Sequence, residues 1–148
     1  MASVYTIDAS VFLNAFNPYE VGHEESHRLL ARLQEQAVPI IVPTLLLPEV
    51  AAAVSRGRED KDLAQEFAAT LSRLPHLLLV PLDTTLAQQA ADVAAQYRLR
   101  GSDAVYAAVA LRFGSTLVTL DREQRERVES VLTSLSPIEA LAQTNESI

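Results

Sequence analysis

The 148-residue chain is 49% hydrophobic, contains no cysteine and carries a formal net charge of −7. That is enough apolar material for the core of one globular domain, and it excludes disulfides and thiol chemistry. No apolar stretch approaches the ~20 residues that span a bilayer. The acidic balance argues against a broad basic surface for nucleic acid, where phosphate contacts dominate affinity, but not against a local site.

In chain order, the apolar run Val4-Tyr5-Thr6-Ile7 predicts a strand at 3–7, ending at Asp8. Residues 9–16 read as a helix, broken by Asn17-Pro18, and 19–36 as a second, amphipathic helix with Leu29, Leu30 and Leu33 at helical spacing. Ile40-Ile41-Val42, between Pro39 and Pro43, is a short strand. Thr44 is expected to cap the helix carrying Glu49, with Pro48 removing a donor from its first turn. A helix at 61–73 leads to an apolar strand at 77–82, continuous as when both faces of a parallel strand are buried. Asp83 or Thr84 caps a helix to Tyr97, Gly101 interrupts, and Ser102-Asp103 starts a helix that ends at Gly114. A strand at 116–120, a helix at 122–129, a weak strand at 131–135 and a short helix after Pro137 follow. Such alternation predicts a three-layer α/β/α sandwich with a mostly parallel central sheet. The expected organisation is one domain over 1–142, with 143–148 a frayed tail. Met1-Ala2-Ser3 lacks the basic and apolar regions of a signal peptide, so the expected location is the cytoplasm.

Four carboxylates stand out. Asp8 and Asp121 follow strand-like runs, Asp103 opens the uncharged stretch 104–111, and Glu49 is the only charge between Pro43 and Val54. In an open α/β sheet, ligands bind beyond the carboxyl ends of the strands. Acids converging there repel one another unless a cation relieves them, and oxygen-only ligands select hard ions such as Mg²⁺ or Mn²⁺. Metal-dependent phosphodiester cleavage follows as the leading chemistry. Taken singly, each acid has a structural reading: Asp8, Asp103 and Asp121 precede helices, where Asp is a preferred N-cap, and Glu49 fits a solvent-facing helix position. Eleven of the twelve basic residues are Arg. Arg100 and Arg122 each adjoin one of these acids and are the expected phosphate contacts, the alternative being helix-end and solvated-face roles.

Asp8-Ala9-Ser10, Glu49 within Leu-Pro-Glu-Val-Ala, Arg100-Gly101-Ser102-Asp103-Ala104 and Leu117-Val118-Thr119-Leu120-Asp121-Arg122 resemble, in order and spacing, the four signatures of the PIN domain. The resemblance covers residues 4 to about 137, while 56–75 carries no signature. It implies a Mg²⁺- or Mn²⁺-dependent endoribonuclease of the VapC-like toxin kind. Asp8 and Asp103 would be the most direct metal ligands, Glu49 and Asp121 would complete the shell, and Ser10 and Thr119 would orient carboxylates. It further implies an RNA substrate, a homodimer and a small antitoxin that reaches the acidic cleft. The apolar faces at 19–36 and 49–55 offer contacts for such partners, or are spent in the monomer core. Alternatives within the family are an RNA-processing nuclease outside a toxin–antitoxin pair and a non-catalytic binding module.

Other classes fit less well. His23-Glu24-Glu25-Ser26-His27 satisfies the zinc-protease pattern, but at a polar helix start rather than in a buried helix. A receiver domain needs a paired acid after the first strand and a Lys near the site; here the first strand offers Asp8 alone and the only Lys is Lys61. A haloacid-dehalogenase-type phosphatase wants Asp-x-Asp where this chain has Asp8-Ala9-Ser10.

Overall fold

Strand β1 (Tyr5–Ile7) lies at the centre of a five-stranded, all-parallel sheet. The structure, a computed structural model, describes residues 3–146. From β1 the chain passes through α1 (Ala9–Phe16) and α2 (His23–Glu35) to β2 (Ile40–Pro43), then through α3 (Leu46–Arg58) and α4 (Lys61–Ser72) to the edge strand β3 (Leu77–Val80). It then returns through α5 (Thr84–Tyr97) and α6 (Gly101–Phe113) to β4 (Thr116–Val118), on the other side of β1. Helix α7 (Arg122–Val128), β5 (Ser134–Leu135) and α8 (Pro137–Glu146) complete the order, and the sheet reads β3-β2-β1-β4-β5. The direction of winding therefore reverses between β1 and β4. That switch point is where an open parallel sheet leaves a crevice beyond its strand ends.

Strand periodicity splits the core in two, because successive side chains point to opposite faces. Tyr5, Ile7, Ile40, Val42 and Val118 pack on one side with α1, α2, α3 and α8; Ile41 and Leu117 pack on the other with α5, α6 and α7. This is the expected three-layer sandwich. Helix α6 is the most enclosed element: Ala104 through Ala110 are all buried. A helix apolar all round belongs inside, and its alanines let it lie close to the sheet.

Several local expectations need correction. Helix α2 begins at His23 rather than Tyr19, because Asn17 Oδ1 accepts the Tyr19 N–H and holds 17–22 in turns. Gly22 then takes a φ of 85°, a conformation that strains any L side chain. Buried Asn14 ties this connection down, donating to Glu20 and to the Val21 carbonyl and accepting from Ser26. Thr44 does not cap α3; its hydroxyl accepts the Leu82 N–H and so fastens β2 to the segment after β3. Strand β3 stops at Val80 and, as an edge, leaves Leu78 53% exposed instead of buried on both faces. Leu29, Leu33, Val50 and Val54 are buried, so the apolar stripes of α2 and α3 are spent in the monomer core. Helix α8 runs on through residues 143–146 of the expected tail, with Tyr5 donating to Gln143 across the fold; 147 and 148 lie outside the described residues.

The tightness of α6 against the sheet is testable. Ala107 is fully buried, so Ala107→Leu has no room for three added carbons and should lower unfolding free energy in urea by about 1–3 kcal/mol. An unchanged midpoint and slope would mean that α6 is looser than described.

Candidate active site

All four predicted acids line one cleft of ≈ 690 Å³ at the switch point. Each arrives on a different element. Asp8 directly follows β1, with its N–H donating to the Val118 carbonyl of neighbouring β4 at 3.1 Å. Asp121 follows β4 and precedes α7, Asp103 lies in the first turn of α6, and Glu49 lies in the first turn of α3. Strand register fixes the first pair: Ile7 is level with Val118, so the chain ends of β1 and β4 emerge side by side.

Capping and cleft-lining are not alternatives here. Asp8 caps α1, its Oδ1 accepting the Ser10 N–H at 3.1 Å and the Ser10 hydroxyl at 2.5 Å. Asp121 caps α7 through Oδ1, which accepts from Glu123 and Gln124, and leaves Oδ2 for the cleft. Asp103 caps nothing; Arg100 holds the N-cap position of α6. The helix ends thus fix two carboxylates by one oxygen each.

Two further side chains complete the arrangement, and neither was singled out from the sequence. Tyr106, 1% exposed, donates its hydroxyl to Glu49 Oε1 at 2.6 Å. Its position three residues after Asp103 puts both on one face of α6, which is the sequence signal for it. Gln124 is buried, accepting from Thr119 and reaching the Asp103 carbonyl at 3.4 Å. Thr119 accepts the Asp121 N–H, setting the backbone of that acid, and its hydroxyl also bears on the Asp8 carboxyl, whose ionised form it favours. Ser10 grips the Asp8 carboxylate through its own hydroxyl.

The two predicted arginines part company. Arg100 bridges Asp103 Oδ2 at 3.4 Å and Asp121 Oδ2 at 3.1 Å. Among the described residues it is the only cation paired with any of the four acids. Arg122 lies outside the cleft lining, in an exposed pair with Glu126 one turn on. Arg56, from the stretch without a signature, lines the cleft instead.

Electrostatically the site is under strain from burial. Desolvation raises the carboxyl pKa of Asp8 to about 6, against the opposing Ser10 hydroxyl, with the Asp103 charge adding to the rise. Burial is also the main cause of upward shifts at Glu49, partly offset by Tyr106, and at Asp103, partly offset by Arg100. Among the described residues, no three His, Asp or Glu side chains close on a single point as a ready-made metal cage. The zinc-like His pair is engaged elsewhere: His23 Nδ1 lies 2.9 Å from the Asn14 carbonyl, with its ring 5.6 Å from that of His27.

Because the fold raises the Asp8 pKa, the folded state binds a proton there more tightly than the unfolded chain. The metal-free protein should therefore gain stability from this group as pH falls from above 6 towards 4, and be penalised above that range. Asp8→Asn keeps the cap and the Ser10 contact but removes the charge. At pH 8 it should stabilise the metal-free protein by on the order of 2 kcal/mol, a gain that shrinks as pH falls through about 6 and is lost only below about pH 4. Chemical unfolding of both proteins across pH checks this; a destabilised Asn variant at pH 8 would contradict it.

The PIN-domain family model matches residues 5–129. Among solved structures, the chain superposes on PAE2754 from Pyrobaculum aerophilum with TM-score 0.71 at 22% identity, covering 99% of each chain. VapC20 from Mycobacterium tuberculosis, described as a sarcin-ricin-loop-cleaving toxin, gives TM-score 0.69 at 19% identity, covering 84% of this chain and 94% of that one. The VapBC2 structure from Rickettsia felis, bound to a DNA fragment from its promoter, gives 0.67 at 15%, covering 90% and 98%. These likenesses speak for the fold; comparison with curated proteins yields no match. With the family model spanning most of its length and the fold in agreement, the chain belongs to the PIN-domain family.

Proposed function

We propose that this protein is a metal-dependent endoribonuclease and the toxin component of a type II toxin–antitoxin pair. One observation carries the nuclease reading: four carboxylates from four separate elements line a single cleft at the switch point of the sheet. No structural need explains all four. Two would suffice as helix caps, and half-burying the others against their own charge is unfavourable.

The donor set suits Mg²⁺ or Mn²⁺. It is all oxygen, and Mg²⁺ keeps several waters and takes one or two carboxylates rather than a closed protein cage. An open acidic cleft without a preformed cage matches that preference. In this reading Asp8 and Asp103 would hold the ion most directly, with Glu49 and Asp121 completing its surroundings. When bound, the ion supplies Lewis acidity towards a phosphodiester and makes water a competent nucleophile near neutral pH.

The chain's own residues supply the rest. Ser10 and the N-terminus of α1 hold the Asp8 carboxylate in one orientation, and Tyr106 does the same for Glu49. Helix α7 anchors one oxygen of Asp121 and leaves the other facing Arg100. Such preorganisation counts because misplacing reacting groups by about 1 Å can reduce rates by roughly 10²-fold. Arg100 offsets part of the acidic charge and sits where it can meet a substrate phosphate.

The toxin assignment draws on the VapC20 and VapBC2 likenesses and on a toxin–antitoxin complex from Klebsiella pneumoniae of the same fold. We extend it to a cytoplasmic homodimer held inactive by a small antitoxin that inserts a Lys or Arg among the acids, as Arg100 does from within. Light scattering of the purified chain tests the dimer: a monomer at micromolar concentration would refute it.

Replacing Asp103 with Asn removes a charge with almost no change in volume. Asp103→Asn should abolish Mg²⁺- or Mn²⁺-dependent cleavage of an RNA panel, by at least about 10²-fold, while its melting temperature stays equal to or above that of wild type. Full activity in this variant would sink the assignment.

A further inference from the structure

Helices α1 and α3 both start at strand ends beside the acids and run away from them, α1 from Asp8 and α3 from just before Glu49. The stripe of α3 facing the cleft is Leu45, Pro48, Glu49, Ala52, Ala53 and Arg56, with the spacing of a single helix face. A second depression, of ≈ 230 Å³, continues where the first ends. The two share Leu13 of α1 and Ala53 of α3, and the second is bounded by Phe16 and Arg58 at the far ends of those helices. Together they form one groove leading out of the acidic site along both helices.

Arg56 stands where the acidic part of this groove gives way to the second part. It is exposed, and among the described residues it has neither an ion pair nor a hydrogen bond, unlike Arg100, which two acids engage. Seven residues separate it from Glu49, roughly 10 Å along the helix axis. That separation along the helix suits a phosphate next to the one at the acids. Beyond it, the Arg58 guanidinium lies 5.9 Å over the Phe16 ring, and Glu20, the acid at this end, is tied by Asn14. Guanidinium planes of this kind accept unstacked bases.

Building on the nuclease reading, we propose that Arg56 is a phosphate subsite for single-stranded RNA, holding a phosphate that flanks the scissile one and directing the strand along the α1–α3 groove towards Phe16 and Arg58. Its role is to position substrate, outside the reacting atoms. An isolated Arg in an acidic cleft also explains how a chain of net charge −7 retains a polyanion: the attraction is local, and it faces the groove.

The test is binding of a fluorescently labelled, short single-stranded RNA, followed by anisotropy across a KCl series with Ca²⁺ as the divalent ion. Arg56→Ala should weaken binding and flatten the slope of log K against log[salt] by about 0.7, the contribution of one single-strand phosphate contact. Arg56→Lys should restore the slope, since charge is what it reads. Arg112→Ala, which removes an arginine bonded to Gln89 away from the groove, should leave it as in wild type. In turnover with Mg²⁺, the Ala variant should show its effect in KM rather than kcat. Equal slopes for wild type and Arg56→Ala, or no RNA binding by wild type at all, would overturn the proposal. The two readings fail separately. Arg56-dependent binding without cleavage would remove the nuclease reading and keep the subsite; cleavage with Arg56-independent binding would do the reverse.

Discussion

Crowding of like charge beyond the ends of β1 and β4 is the constraint around which the rest of this protein is arranged. Asp8 is 5% exposed, and neighbouring Asp103 raises the energy of its ionised form further. A fold selected only for stability would place an amide or a hydroxyl at such a position. Instead the surroundings hold the carboxylates in place while leaving most of their charge uncompensated. The Ser10 hydroxyl and the N-terminus of α1 share one oxygen of Asp8, the N-terminus of α7 takes one of Asp121, Tyr106 one of Glu49, and the single Arg100 spans two acids.

Topology makes this arrangement possible with short, local devices. Parallel pairing of β1 with β4 sets Asp8 level with the strand end that leads to Asp121. Helix α6 crosses beneath with small side chains, so its first two turns bring Asp103 and Tyr106 to the same crevice. Thr119, Gln124 and Arg125 then brace the β4–α7 turn: Arg125 donates to the Thr119 carbonyl at 2.7 Å, and Gln124 links Thr119 to the Asp103 backbone. Rigidity around the acids is therefore built from backbone and hydroxyl contacts that leave the carboxylate charges free.

What could be read from the sequence divides along the same line. Helix α1 and the caps at Asp83 and Gly114 follow from local chemistry and appear as expected. The four acids were legible because three close or open an apolar run and Glu49 is the lone charge within one, which is a local signal with a topological meaning. Features set by distant partners were not legible. Thr44 caps in isolation, but here β3 offers it the Leu82 N–H. An apolar run does not say whether it lies at the centre or the edge of a sheet, so the exposure of Leu78 was hidden. Adjacency in sequence pointed to Arg122, which turns away to Glu126, while Arg56 and Tyr106 reach the cleft through helical spacing from Glu49 and Asp103.

The central claim is that the four acids exist to hold a divalent ion, and the most direct measurement is anomalous diffraction from crystals soaked in MnCl₂. The account predicts a strong Mn²⁺ peak in the cleft, within ligand distance of Asp8 or Asp103, with Arg100 drawn away from Asp103 and Asp121. A cleft without such a peak at saturating Mn²⁺, with Arg100 still bridging its two acids, or a peak between His23 and His27 alone, would contradict it.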